Sequence, residues 1–401
     1  MTATVAVRAG AFPCASTAMA TRPVAASLAV LRMRLTDFRN YAALKLSLEG
    51  KPVVLTGPNG AGKTNLLEAL SLLVPGRGLR RARIADLGCK TARGHWAVAV
   101  GVRTPDGVTE IGIGRDPHAA SLGRERRLLR IDGCDQRSQA ALGEVLHASW
   151  LTPEMDRIFL EGAAARRRFL DRLVFGFEPA HAVRLADYMR AMRERSRLLH
   201  DGGADPGWLT ALEERMALAG AGIANTRRAY IRHLGDAVAA AVGPFPGVVL
   251  EVEGRLEGWL ETASMSTVAE RFLAQLQTLR GRDGAAGVTT EGIHRSDLAV
   301  RHLAKGIPAA QCSTGEQKAL LIAILLADAR LQAEARGTPP LLLLDEVTAH
   351  LDAARREALF EAIEALGAQA WMTGTETAFF QPLKGRAQFF SVLDGAVLAE
   401  G

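Results

Sequence analysis

The octet Gly57-Pro58-Asn59-Gly60-Ala61-Gly62-Lys63-Thr64 fits the pattern G-x-x-x-x-G-K-[ST] without a mismatch. Each residue type has a physical use there. Glycines let backbone N–H groups turn inward and approach phosphate oxygens. A helix beginning at the loop aims its positive end at the anion. Lys63 would supply a point charge to the β- and γ-phosphates of ATP, and the Thr64 hydroxyl would ligate Mg2+. The flanks agree: Val53-Val54-Leu55 reads as a short apolar strand, and Asn65 to Leu73 has a helical period. The octet predicts nucleotide binding and is silent on the reaction.

Outward from the octet, Leu31, Met33 and Leu35, then Leu44, Leu46 and Leu48, alternate as strand, turn, strand. Trp96 to Val102 and Val108 to Gly112 read as a hairpin closed by Pro105-Asp106-Gly107. Far downstream, Leu341-Leu342-Leu343-Leu344-Asp345-Glu346 is an apolar strand ending in two acids. At the end of a central parallel strand these carboxylates would lie beside the phosphate loop. Asp345 would hold Mg2+, mostly through water, and Glu346 would orient and deprotonate the attacking water.

Between the two motifs, Ser313-Thr314-Gly315-Glu316-Gln317 opens a strong helix (Gln317 to Ala335). Locally it is a capping box, with Ser313 at the N-cap and Glu316 at N3. It also resembles the signature turn of ABC ATPases, in which Ser-x-Gly grips the γ-phosphate of ATP bound to the other subunit. Exposed N–H groups, a hydroxyl and a helix dipole suit that anion. Leu351-Asp352 stands where the D-loop of those ATPases does. The resemblance implies an α/β fold, an ABC-type P-loop ATPase head with a helical second lobe inserted.

Asp345 lies 282 positions after Lys63. An ABC transporter ATPase subunit, the main alternative, needs far fewer, and a long coiled-coil arm needs hundreds more. A small-molecule phosphotransferase would leave the Ser-x-Gly turn without a use. The intermediate spacing suits a compact insertion. Residues 155–240 are arginine-rich and helical in period, with Leu209, Leu212, Met216, Ile223, Tyr230 and Leu234 near one face. Gly202-Gly203 and Asp205-Pro206-Gly207 break this region, and Gly281 to Gly287 reads as a linker. A second strand and helix follow the acids (Ala370 to Thr373, Ala353 to Leu366). We therefore expect the N-terminal half of an ATPase lobe over residues 28–150, a helical second lobe over 151–288, and the C-terminal half of the ATPase lobe over 289–401. Residues 1–27 are expected to be a disordered leader or a mis-assigned start, with Met19 as the working start codon.

Composition narrows the setting. Hydrophobic residues make up 48% of the 401, enough for a sizeable core. No apolar run is long enough to span a bilayer. The four cysteines, Cys14, Cys89, Cys134 and Cys312, form no metal or disulfide pattern, which fits a reducing, cytoplasmic setting. The net charge of +6 suits nucleic acid, or simply a genome that favours arginine.

Several segments are similar to those of RecF proteins: Phe38-Arg39-Asn40-Tyr41 to F-R-N-Y, and Pro75-Gly76-Arg77-Gly78-Leu79-Arg80-Arg81 to P-G-R-G-x-R-R. Arg167-Arg168-Phe169-Leu170-Asp171, Gly315-Glu316-Gln317-Lys318 and Asp345-Glu346-Val347 also match. The similarity runs from about Leu28 to the end. It implies an ATPase that dimerises with ATP and binds DNA, especially gapped single-strand/double-strand junctions. It further implies recombinase loading together with RecR- and RecO-like mediator proteins. Arg39 and Asn40 would lie near the nucleotide, and Arg77, Arg80 and Arg81 are candidates for DNA phosphate contact. The chain departs from related ATPases at three places. Pro153-Glu154 replaces Pro-Gln; Thr373-Gly374-Thr375 stands where a switch histidine is usual, which predicts slow turnover; and Gly292-Ile293-His294-Arg295-Ser296-Asp297 has Ile for Pro, with no role evident for His294.

Overall fold

The structure, a computed structural model, describes residues 27–89, 95–117, 126–202, 205–239 and 243–400. The expected leader therefore falls almost wholly outside the described residues.

The chain opens with β1 (Ala29–Phe38) and β2 (Tyr41–Ser47), then β3 (Val53–Thr56) and α1 (Lys63–Ser71). Strands β4 (Ala97–Thr104), β5 (Gly107–Arg115), β6 (Arg127–Ile131) and β7 (Cys134–Asp135) follow, then α2 (Ala140–Val145) and β8 (Ala148–Leu151). A helical stretch comes next: α3 (Ala163–Phe177), α4 (Ala180–Asp201) and α5 (Pro206–Ala239). After β9 (Val248–Glu253) come α6 (Arg255–Trp259), α7 (Met265–Thr278) and α8 (Arg280–Ala286). The chain closes with β10 (Asp297–His302), α9 (Thr314–Arg336), β11 (Leu341–Leu344), α10 (Ala353–Leu366), β12 (Ala370–Gly374), β13 (Gln388–Leu393) and β14 (Ala396–Glu400).

Two six-stranded sheets carry the site. One is antiparallel, in the order β2-β1-β4-β5-β6-β7, and the other runs β14-β13-β3-β12-β11-β8. In the second, β13, β3, β12, β11 and β8 are mutually parallel, and β14 adds an antiparallel edge. The second sheet is buried on both faces, so its central strands are continuously apolar. Their side chains divide by alternation. Leu341 and Leu343 join the core shared with α1 and the antiparallel sheet, whereas Leu342 and Leu344 join the core under α9 and α10. Each fully buried leucine contributes roughly 1.5–3 kcal/mol. A third core lies among α4, α5, α6 and α7.

The expected strand–turn–strand and the Pro105-Asp106-Gly107 hairpin are both present. The apolar stripe from Leu209 to Leu234 is buried along α5. The expected linker at Gly281–Gly287 is a correction: α8 fills it. Asp283 within it is fully buried and accepts from Arg195 Nη1 at 2.7 Å, from the Thr290 backbone N–H at 3.0 Å and from the Thr290 hydroxyl at 2.7 Å. These tertiary bonds outweigh the weak helix propensity of its glycines. Gly287, at φ 65°, then ends the helix in the left-handed conformation.

Candidate nucleotide site

Parallel pairing aligns the carboxyl ends of three strands. Leu344 pairs with Met372, Thr373 with Leu55, and Gly374 with Thr56. The loops leaving β3, β12 and β11 therefore open on one edge, where open parallel sheets bind ligands.

The phosphate loop leaves β3 at Thr56. Gly57, Gly60 and Gly62 have φ of 144°, 83° and 114°, values that disfavour side chains. Pro58, Asn59 and Gly60 form an exposed rim, while Ala61 and Gly62 are buried. Helix α1 begins at Lys63, two residues earlier than its period suggests. Lys63 is 5% exposed, and its Nζ donates to the carbonyl oxygens of Gly57 at 2.6 Å and Pro58 at 2.9 Å. Burial lowers its pKa, and the nearby Glu346 and Asp345 carboxylates oppose that shift.

Thr64 and Asp345 come together from opposite ends of the sequence. The Thr64 hydroxyl lies 2.9 and 3.0 Å from the two Asp345 carboxylate oxygens. Thr373, on the strand between them, adds a second hydroxyl 2.7 Å from Asp345 Oδ1. Hydroxyl and carboxylate oxygens are the hard donors that Mg2+ prefers, with phosphates and water completing its shell. Among the described residues no group of three or more His, Cys, Asp or Glu side chains could hold a metal ion.

Glu346 is half-buried, with φ of 47°, a costly conformation for a non-glycine residue. Both of its backbone groups are held. Its N–H donates to Thr373 Oγ1 at 2.8 Å, and its carbonyl accepts from Lys318 Nζ at 3.0 Å. Lys318 is 2% exposed, and Asp156, 3.4 Å away, is its ion-pair partner. Neither Lys318 nor Asp156 was identified as a site residue from sequence, although Lys318 ends the matched Gly-Glu-Gln-Lys stretch.

Asn40 and Tyr41 brace the loop from the turn between β1 and β2. Asn40 Nδ2 donates to Ala61 O at 2.9 Å, and Tyr41 OH donates to Gly62 O at 3.1 Å. Arg39 turns to α1 instead. Its guanidinium bonds both oxygens of the buried Glu68 at 2.8 and 2.6 Å, and Arg80 reaches the same carboxylate at 3.3 Å.

Ser313 caps α9, and the reciprocal capping box with Glu316 is formed. Lys305 pairs with Glu316 and, with the Ser313 bonds, pulls its carboxyl down to about 2. Ser313 and Thr314 remain exposed, and Gly315 packs near the His350 carbonyl. Among the described residues, no hydrogen bond joins this turn to the phosphate loop of its own chain. Asp352 caps α10, accepting from the Arg355 backbone N–H at 2.8 Å. Glu154 is exposed on the short turn after β8. His294 is spoken for: Nδ1 lies 3.0 Å from the Tyr188 hydroxyl and Nε2 2.9 Å from the Thr289 carbonyl. The matched Arg167-to-Asp171 segment is structural in part, since Asp171 bonds Arg227 and His181, and the Arg227 guanidinium donates to the Ile293 carbonyl.

Comparison with known proteins identifies the family and the fold. The model of the RecF/RecN/SMC N-terminal domain matches residues 29–392. The DNA replication and repair protein RecF of Mesorhizobium japonicum is 50% identical over 370 residues, covering 92% of this chain and 97% of that protein. RecF of Rhizobium meliloti is 47% identical over 368 residues, covering 91% and 97%. Among solved structures, the recombination mediator RecF bound to ATP superposes with a TM-score of 0.81 at 23% identity, covering 96% of this chain and all of that one. An Smc head domain from Pyrococcus furiosus gives 0.52 at 14% identity, over 93% of this chain and 96% of that one. None of these likenesses supports the transporter alternative, and no helix among the described residues is long and apolar enough to cross a membrane. On the relatives' identity and coverage, the chain belongs to the RecF family of DNA replication and repair proteins.

Proposed function

We propose that this protein is an ATP-hydrolysing switch that closes as a homodimer on DNA. The observation that supports this best is the split of the site. Lys63, Thr64, Asp345 and Glu346 converge on one sheet edge, while the exposed Ser313–Gly315 turn makes no bond to the loop it would serve. A triphosphate bound at Gly57–Thr64 of one copy can be completed by Ser313, Gly315 and Glu316 of a twin, with Asp352 beside the seam. ATP then favours the closed dimer through its contacts across the interface.

Within one copy, the loop N–H groups and Lys63 bind the phosphates, and Asn40 supports the loop. Thr64 and Asp345 would hold Mg2+, which when bound offsets the negative charge of the β- and γ-oxygens. Glu346 accepts the proton of the attacking water. Turnover is slow, because Thr373-Gly374-Thr375 offers no histidine to the γ-phosphate. The likeness to DNA replication and repair protein RecF, and to a RecF structure of the RecFOR pathway, supports DNA as the ligand and RecR- and RecO-like mediators as partners. Single-strand/double-strand junctions, stimulation of hydrolysis by DNA and a cytoplasmic setting belong to the same reading. So does a division into an ATPase lobe (28–150 and 289–401) and an inserted lobe (151–288).

The test is Glu346→Gln, followed by sedimentation and ATPase assays with and without gapped duplex DNA. The variant should bind ATP, accumulate as dimer and lose hydrolysis by on the order of 10²–10⁴. A variant that stays monomeric at saturating ATP would overturn the switch.

A further inference from the structure

The segment after α1 and the helix α3 face each other across a cleft of about 390 Å³. No residue of the phosphate loop lines it, so it is a separate site. Three exposed arginines, Arg77, Arg81 and Arg168, line it. Among the described residues none of the three has an ion-pair or hydrogen-bond partner. Their effect on one another is repulsive: burial lowers the pKa of Arg81, and the charges of Arg168 and Arg77 lower it further. Arg81 is also held at φ 55°, a conformation a non-glycine residue adopts at a cost. Arg80, next in sequence, faces elsewhere and bonds Asn65 at 2.6 Å as well as Glu68.

Trp150 and Phe169 line the floor, 7% and 4% exposed. The Arg172 guanidinium lies 4.6 Å from the centre of the Trp150 ring and 5.3 Å from that of Phe169. Burial brings its pKa down to about 10, and its Nε–H is buried without an acceptor. Glu154 and Glu161 also line the cleft, and their carboxylates can accept from exocyclic amino groups. Asp171, which lines it too, is taken by Arg227 and His181.

Unpaired arginines in a small concave space call for an anion, and their forked donors suit phosphate. Aromatic rings and guanidinium planes are the surfaces on which unstacked bases lie. The volume is near the low end for small-ligand clefts, on the order of 300–1,000 Å³. It admits one nucleotide and excludes a duplex. We propose that this cleft takes one unstacked nucleotide of a single DNA strand, its phosphate held by Arg77, Arg81 and Arg168. This rests on the DNA-binding reading and deepens it. A strand bound here ties the loop after α1 to α3, so it bridges the nucleotide-binding half and the helical insertion. A duplex without a free strand cannot use the site, so the cleft predicts tighter binding of gapped than of blunt duplex.

The test is fluorescence anisotropy on the full chain with saturating ATPγS. The probes are a single strand of about 15 nucleotides, a gapped duplex, a blunt duplex and an acidic peptide ending in Phe. Arg168→Ala should weaken single-strand and gapped binding about tenfold and lower the single-strand salt slope by about 0.7. Blunt-duplex affinity should stay within about twofold, and Arg168→Lys should recover part of the loss. Unchanged binding of a fluorescent ATP analogue shows that the variant is folded. Equal losses on blunt duplex, or no loss on the single strand, overturn the proposal. So does loss of peptide binding with strand binding intact. A wild-type chain that binds none of the DNAs removes the DNA-binding reading itself, whereas DNA binding that ignores Arg168 removes only the cleft.

Discussion

The Thr373 hydroxyl donates to Asp345 Oδ1 at 2.7 Å, and Thr373 Oγ1 accepts the Glu346 N–H at 2.8 Å. With its proton given to Asp345 and a lone pair to Glu346, the rotor is fixed. Thr64 bonds the same carboxylate from the other side. Asp345 and Glu346, the acids proposed to hold Mg2+ and to activate water, are thus both bonded by one buried side chain on the strand beside them. Valine keeps the shape and removes the hydroxyl, leaving the Glu346 N–H without its acceptor. An unsatisfied buried donor costs about 1–3 kcal/mol. Thr373→Val should lower kcat about tenfold with little change in ATP affinity. Steady-state kinetics and equilibrium nucleotide binding check this; a variant with wild-type kcat would sink it.

Lys318 acts on the same glutamate from α9, the helix that Ser313 caps. Its ammonium donates to the Glu346 carbonyl and pairs with Asp156 while almost wholly buried, and burial lowers its pKa. Glu346 at φ 47° needs such a hold, since the left-handed conformation costs on the order of 1–3 kcal/mol. Lys318→Met keeps the aliphatic stem and removes the donor. The expected outcome is a fall in kcat of about 10- to 100-fold with ATP-dependent dimerisation retained. Parallel sedimentation and turnover measurements decide it. If dimerisation and turnover fall together, Lys318 supports the fold rather than the position of Glu346.

Gly62 shows why the loop admits so few residues. Its φ is 114°, and a Cβ there would stand 2.4 Å from Asn40 Nδ2 and 2.8 Å from the Tyr41 hydroxyl. Those two side chains bond the carbonyls of Ala61 and Gly62, so they cannot yield without releasing the loop. Gly62→Ala should reduce ATP affinity by about 5- to 150-fold, from strain of roughly 1–3 kcal/mol. Calorimetric titration with ATP would show it, and an unchanged Kd would mean that the loop has other room.

The same contrast explains what sequence could and could not disclose. Phosphate chemistry restricts residue types at fixed spacing, so Gly57–Thr64, Asp345-Glu346 and the Ser313 capping box stand out in one dimension. Strand order does not. Nothing local says that β12 lies between β3 and β11, and so nothing marks Thr373 as the bridge. Lys318 and Asp156 are 162 positions apart, and a buried cation is recognisable only beside its partner. Arg39 is matched by resemblance to the nucleotide's neighbourhood, yet its guanidinium is committed to Glu68, an anion that its own segment does not contain. Glycines at 281, 284 and 287 read as a linker because the decisive bond, Arg195 to Asp283, spans 88 positions.

His147 supplies a test that depends on pH. It precedes β8 and is 6% exposed, and its Nε2 donates to the Thr338 carbonyl at 3.0 Å. Burial pushes its pKa down to about 4, and the nearby Arg336 lowers it too. An unfolded histidine titrates near 6.5. Between those values the unfolded chain binds the proton that the folded chain refuses. The contribution to stability is therefore complete above about pH 6.5 and is lost as pH falls toward about 4. The slope is at most about 1.4 kcal/mol per pH unit. Carboxylates add a slope of the same sign at the acid end, so the informative quantity is the difference between wild type and His147→Gln. Glutamine keeps a donor for Thr338 and cannot titrate. Denaturant unfolding from pH 7.5 to 5 should show the wild type losing about 1 kcal/mol more than the variant between pH 6.5 and 5.5. Parallel stability curves across that interval would mean that His147 takes up its proton without unfolding the chain.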